Sequence, residues 1–284
     1  MGRFTTLTLL STVALGVQIP AHAQAPMPSS KMTDSPCPPQ GSRIPQEMIT
    51  AMLKPGAKMP PMPPGGDEKM REYQKKHAED LTRDFADLCH YKTDNATVMK
   101  GARPTAVFMG DSITEAWNVG DAPLFTHGVV NRGIGGQTSP QMVVRFYQDV
   151  VALHPKVVHI MAGTNDVAGN TGPSSPEDYK NNIRAMVDLA TSNHIHVVLA
   201  SILPAEKFTW RPDIQPVEQI RQLNTWLRQL ADQRKLVYAD YYSSLATPAG
   251  AFRPELSNDG VHPNSDGYGV MRPIADASLK KAAP

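Results

Sequence analysis

TAVFMGDSITEAW (residues 105–117) decides the fold. A short apolar run rich in strand-forming residues stops at glycine, aspartate and serine, and helix-compatible residues follow at once. This is the pattern of a buried strand handing over to a helix, with a small hydroxyl residue at the junction. The same alternation then repeats. GVVNRG (128–133), KVVHIMAG (156–163), IHVVLASI (195–202) and KLVYAD (235–240) each read as a buried strand. Helical patterns span 140–154, 176–192, 216–234 and 264–281. Thr138-Ser139-Pro140 and Ser175-Pro176 place a capping residue ahead of a first-turn proline, and Asp178 adds a variant of the capping box. Strands alternating with helices imply a parallel sheet of about five strands covered on both faces. Ligands of such sheets bind beyond the carboxyl ends of the strands, so the chemistry is sought there.

Outside this core, two N-terminal segments differ in composition. Residues 1–23 carry Arg3 as their sole charged side chain, an uncharged stretch FTTLTLLSTVALGV and a small-x-small AHA. This is expected to be a cleaved signal peptide, because the stretch is broken by threonines and Pro20 and lacks a stop-transfer flank. The mature protein is then secreted or periplasmic, with no membrane span. Residues 24–66 are dense in Pro, Met, Ser and Gly and read as a flexible arm. From 67 the pattern turns helical to 91, with Tyr73, His77, Leu81, Phe85 and Leu88 recurring at three- and four-residue steps. Residues 67–284 are taken as one domain that includes this amphipathic helix.

Bulk properties exclude some functions. The formal charge of the 284-residue chain is +1, and loss of the leader with Arg3 leaves it neutral. Nucleic acid and anionic membranes are therefore not expected as partners; a monomer acting on a small molecule or a carbohydrate ester is. No cofactor is implied, and no metal. His194 and His196 could share a strand face but lack a third ligand nearby, and the methionines of the arm have no ligand spacing. Cys37 and Cys89 could bridge and pin the arm to the body, or remain two thiols.

Four clusters fall at strand ends or before the last helix: GDSIT (110–114), NRGIGGQTS (131–139), GTNDV (163–167) and DGVHPN (259–264). Ser112 needs a base to become nucleophilic. Of the nine histidines, His262 stands out because Asp259, three residues earlier in the same loop, supplies a carboxylate to orient it. Donors for a developing oxyanion are the Ser112 N–H at the helix start, a backbone N–H in the Gly135-Gly136 turn, and the Asn165 amide. Each cluster alone could be turn chemistry; four in order along one sheet edge point to a nucleophilic hydrolase.

In content and order these clusters resemble the four sequence blocks of the SGNH superfamily of GDSL-type hydrolases, over about residues 106–274. The resemblance implies a three-layer α/β/α sandwich with a flavodoxin-like sheet and metal-free esterase, lipase, thioesterase or carbohydrate deacetylase activity. By motif, Ser112 matches the nucleophile, Gly136 the block-two glycine, Asn165 the block-three asparagine, and Asp259 and His262 the Asp-x-x-His pair. Gln137 stands where many members carry Asp, which is expected to change the charge beside the oxyanion site. The loop LPAEKFTWRPDIQP (203–216) offers Trp210 and Arg211 as substrate contacts, and Trp117 and His127 are similar candidates near block one. Without a long apolar lid, short acyl groups are expected, acetyl on a carbohydrate among them. Lysophospholipid or thioester hydrolysis is the alternative, as is a non-catalytic carbohydrate-binding module on the same scaffold.

Overall fold

The computed structural model describes Cys37 and residues 46–57, 66–172 and 174–283. The expected signal peptide and most of the arm lie outside these residues. Five strands form one parallel sheet: β1 (Ala106–Gly110), β2 (Val129–Gly133), β3 (Val157–Met161), β4 (His196–Ala200) and β5 (Val237–Ala239), in the order β2-β1-β3-β4-β5. This is the flavodoxin-like order, with its switch point where β1 meets β3.

Residues alternate between the two faces because the strand repeat is two. Val107, Met109, Val158, Ile160, Val197 and Leu199 pack against Phe146 of α5 (Ser139–Asp149), Ile183 and Met186 of α7 (Pro176–Ser192), and Leu223 and Leu227 of α8 (Val217–Arg234). Their neighbours Phe108, Met161, Val198 and Ala239 face Ile113 and Trp117 of α4 (Ser112–Gly120) and Tyr268 and Met271 of α10 (Ser265–Ala282). The result is three layers, α/β/α. The expected box at Ser175 forms, with Ser175 and Asp178 exchanging backbone N–H bonds at 3.1 and 2.9 Å, and Thr138 makes a second box, its N–H donating to Gln141 Oε1 at 3.0 Å. Among the described residues no helix is long and apolar enough to cross a membrane.

Three expectations change. The helix expected over 67–91 ends early, as α2 (Gly66–Arg83), and α3 (Lys92–Val98) follows a run of turns. Asp87 has a left-handed φ of 52°, and Asp84 accepts the Cys89 N–H with its side chain, so the helical ladder cannot continue. Phe85, expected on the buried stripe, is exposed, and the side chains of Tyr73 and His77 are outside the described residues. The carbonyls of Phe85, Ala86 and Leu88 instead accept the side-chain amides of Gln141, Gln137 and Gln148. The helix expected to reach 154 likewise ends at Asp149, followed by a single 3-10 turn and Pro155, which disfavours helix in the residue before it.

The arm also contains structure: α1 (Gln46–Leu53) docks on the body with Leu53 buried beside Ile113 and Trp117. Neither Cys37 nor Cys89 is a free thiol; both are disulfide-bonded.

Candidate active site

The sheet register brings the blocks to one level. Gly110, at the end of β1, pairs with Gly133 of β2 and Met161 of β3, so the residues after each emerge side by side at the carboxyl edge. Asp111 caps α4 by accepting the Ile113 N–H at 2.9 Å, which makes Ser112 the first helical residue. Its N–H therefore has no acceptor within the helix. The chain after β2 crosses directly over the start of α4: a β-carbon at Gly133 would lie 2.1 Å from the Glu115 nitrogen. Only glycine allows that approach. Glu115 then accepts the Gly135 N–H at 2.8 Å, and a β-carbon at Gly135 would stand 3.8 Å from Ser112 Cβ. Gly136, with φ of 76°, reverses the next peptide. Among the described residues its N–H meets no acceptor.

From the far end of the chain, the loop before α10 supplies the imidazole. Ser112 Oγ and His262 Nε2 are 2.9 Å apart, and His262 Nδ1 lies 2.7 Å from Asp259 Oδ2. The other Asp259 oxygen accepts the backbone N–H of Val261 and of His262 at 2.9 and 2.8 Å. Ser257 Oγ donates to the His262 carbonyl at 2.7 Å and accepts the Gly260 N–H, closing the loop on itself. Asn258 carries this loop to the arm. Its amide donates to the carbonyls of Met52 and Lys54 at 2.7 and 2.8 Å, while Ser265 Oγ takes that of Leu53. The last carbonyls of α1, orphaned by the helix end, are thus satisfied by the same loop that holds Asp259 and His262.

Charges in the site are set by burial and by partners. Burial alone would raise the Asp259 carboxyl, but its bonds from His262 outweigh this and hold it well below the usual carboxylate range. Burial would lower His262. The hydrogen bond and charge of Asp259, with the charge of Asp111, outweigh that and lift the imidazole above its ordinary 6.5. Asp111 itself is pushed up to about 6, chiefly by burial. A hydroxyl, an imidazole and a carboxylate in line can move a proton from the hydroxyl to the ring and stabilise the imidazolium that forms.

Asn165 lies in α6 (Thr164–Ala168), directly after β3, and is buried. Its Nδ2 donates to the Gln137 carbonyl at 3.0 Å and contacts Asp111 Oδ2 at 3.4 Å; its Oδ1 accepts from Asn170 at 2.8 Å. The next residue, Asp166, accepts from Ser139 through backbone and side chain, which ties block three to the start of α5.

Ser112, Gly136, Asn165, Asp259 and His262 thus share one edge, and the other candidates divide. Trp117 is 0% exposed and stacks on Tyr268 with ring centroids 5.5 Å apart, so it is a core residue and cannot meet substrate. His127 precedes β2, at the amino end of the sheet and away from the site. Arg211 has its donors engaged by the Ala168 carbonyl, at 2.6 Å, and by Asp213, so it anchors the 203–216 loop on α6. Trp210 is 42% exposed, and its indole N–H donates to Asn170. Gln137, the residue that departs from the family's Asp, is buried. Its side chain turns inward, donating to Ala86 O and accepting from Arg145. Asn170, Asn258 and Glu115 were not singled out by sequence; only the repeated Asn of GTNDVAGN hinted at the first.

A parallel α/β/α sheet with a serine, a histidine and an aspartate hydrogen-bonded in line at its carboxyl edge is the architecture of a hydrolase. The chain belongs to the GDSL-like Lipase/Acylhydrolase family, whose model matches residues 108–270. An acylhydrolase-class protein of Bacteroides fragilis NCTC 9343 has a crystal structure 41% identical in sequence, with a TM-score of 0.68 over 71% of this chain and 99% of its own. A GDSL-like lipase from Bacteroides thetaiotaomicron VPI-5482 is 39% identical, with a TM-score of 0.67 over 70% of this chain and 99% of that one. The lipoprotein YqeF of Bacillus subtilis (strain 168) is 33% identical over 79 residues, 27% of this chain; the match spans about a third, 32%, of that curated relative's length. The helices α1, α2 and α3 lie outside the family match.

Proposed function

We propose that the protein is a serine hydrolase that cleaves carboxylic esters through an acyl-enzyme. The reading is carried by the unbroken line from Ser112 Oγ to His262 Nε2, at 2.9 Å, and from His262 Nδ1 to Asp259, at 2.7 Å. His262 takes the Ser112 proton as the serine oxygen bonds to the ester carbonyl carbon. The oxyanion is held by the Ser112 and Gly136 N–H groups and by the Asn165 amide, whose second N–H has only a 3.4 Å contact to Asp111 to give up. As the C–O bond breaks, His262 protonates the leaving alcohol. Water then gives its proton to His262, attacks the acyl carbon, and releases the acid and the free serine.

The substrate is proposed to be a short acyl ester, acetyl on a carbohydrate first among them. The half-exposed Trp210 offers an aromatic face beside the site, and the 203–216 loop, the longest after a strand, carries no long apolar stretch suited to a fatty chain. The leader and the disulfide-bonded cysteines fit a protein exported to an oxidising compartment. Hydrolysis of p-nitrophenyl acetate, butyrate and octanoate tests the reading. Acetate should be cleaved fastest, and Ser112→Ala should abolish turnover on all three. Equal rates for wild type and Ser112→Ala would refute the mechanism; preference for octanoate would refute the short-acyl assignment alone.

A further inference from the structure

The Asn165 amide can serve an oxyanion only if its nitrogen, and not its oxygen, faces the reacting carbonyl. The two ends of a carboxamide are nearly alike in shape, so its partners decide which is which. Asn165 Oδ1 is held as the acceptor end from both sides: Asn170 Nδ2 donates to it at 2.8 Å, and the Gln137 carbonyl accepts from Asn165 Nδ2 at 3.0 Å. Asn170 faces the same ambiguity, resolved in turn by Trp210, whose Nε1 lies 3.0 Å from Asn170 Oδ1. An indole N–H can only donate. It therefore obliges Asn170 to present its oxygen to the tryptophan and its nitrogen to Asn165, whose own nitrogen then lies toward the Gln137 carbonyl and Asp111. A donor-only group at the surface thus sets the polarity of Asn170 and, through it, reinforces the polarity that the Gln137 carbonyl gives Asn165.

The surroundings hold this chain of donors in place. Trp210 packs on the buried Phe208 with centroids 5.1 Å apart, and the adjacent Arg211 grips the Ala168 carbonyl at the end of α6. The Asn170 backbone N–H bonds to the Asn165 carbonyl at 3.0 Å, so both side chains spring from one short turn.

We infer that Trp210 and Asn170 are positioning residues that orient the Asn165 amide through the Trp210–Asn170–Asn165 hydrogen-bond series. The inference rests on the proposed esterase reading for Asn165. It makes the 203–216 loop part of the catalytic apparatus.

A double-mutant cycle on p-nitrophenyl acetate tests it. Asn165→Ala, which removes one oxyanion donor outright, should cost on the order of 10²-fold in kcat and sets the scale. Asn170→Asp accepts the indole but cannot donate to Asn165, and should lower kcat by roughly tenfold with little change in KM. Trp210→Phe keeps the ring on Phe208 and removes only the donor, and should lower kcat about three- to tenfold. The diagnostic is coupling: Trp210→Phe should have almost no further effect in the Asn170→Ala background. Changes under about threefold for both Asn170→Asp and Trp210→Phe, or a Trp210→Phe effect of the same size in both backgrounds, would overturn the inference. An inert wild type would count against the esterase reading instead. The series is then judged without activity: the Trp210 indole N–H resonance should shift in Asn165→Ala as well as in Asn170→Ala. A resonance unmoved by both overturns the series itself.

Discussion

Asp111 serves as the cap of α4 and as a buried charge facing His262, and the two roles respond differently to substitution. Asparagine can still accept the Ile113 N–H, so the cap survives, while the charge is lost. In the native protein that charge favours the protonated imidazole and helps lift His262 above its ordinary 6.5. The proposed mechanism needs the neutral ring, so the rate should rise with pH through a midpoint above the ordinary imidazole value. Removing a negative charge disfavours the imidazolium, lowers that midpoint, and moves the acid limb of kcat/KM to lower pH in Asp111→Asn. A pH–rate profile of both proteins checks this; a limb that stays fixed or moves upward contradicts the assigned coupling. Because Asp111 itself titrates near 6, the native limb belongs to the pair.

Local sequence made Ser112, Asp259 and His262 legible, since each lies in a short motif whose geometry a few residues determine. Trp117 was misread because its fate depends on which face of α4 meets α10, a matter of tertiary packing. Asn170 and Asn258 escaped notice because their partners are distant in the chain or are backbone carbonyls.

At the level of elements, α1 carries the largest departure. Averaged over residues 24–66 the composition is that of an arm, and an isolated eight-residue helix is unstable in water. Docking supplies what propensity lacks: Ile49 and Leu53, one turn apart, pack on the body, and Asn258 takes two of the final carbonyls. Since Asn258 adjoins Asp259, this contact braces the loop that carries Asp259 and His262. Asn258→Ala should cost about 1–2 kcal/mol through the two lost hydrogen bonds. At roughly 2–4 °C per kcal/mol for a domain of this size, the loss should be visible in a thermal melt. Turnover should fall a few-fold as the loop loosens. An unchanged melt and unchanged turnover would show that α1 rests on the loop without supporting it. The α2 helix taught the opposite lesson. Its periodicity runs on to Leu88, but a left-handed Asp87 and three glutamine side chains claiming its carbonyls end it sooner.

Across the whole molecule, five strand runs with helices between them were enough to foresee a parallel, doubly covered sheet, and the strands lie within a residue or two of their expected limits. Strand order was not legible from the residues, because helical crossovers leave neighbour choice open; only the family resemblance pointed to β2-β1-β3-β4-β5. That order explains the site. With β1 between β2 and β3, the turns bearing Ser112, Gly136 and Asn165 stand side by side at the switch point, and α10 brings His262 over them from the far end of the chain. The fold thus gathers the proposed nucleophile, its base and the proposed oxyanion donors from four separate segments onto a single edge.

The most direct test of that assembly is covalent labelling with an alkyl fluorophosphonate, read by mass spectrometry of the intact protein and its peptides. Attack by an activated serine oxygen expels fluoride and leaves one phosphonyl group on the peptide that contains Ser112. The account predicts a single adduct at Ser112, formed rapidly in the native protein and lost in His262→Ala. Labelling at any other residue, or equal labelling of Ser112 with and without His262, would contradict it.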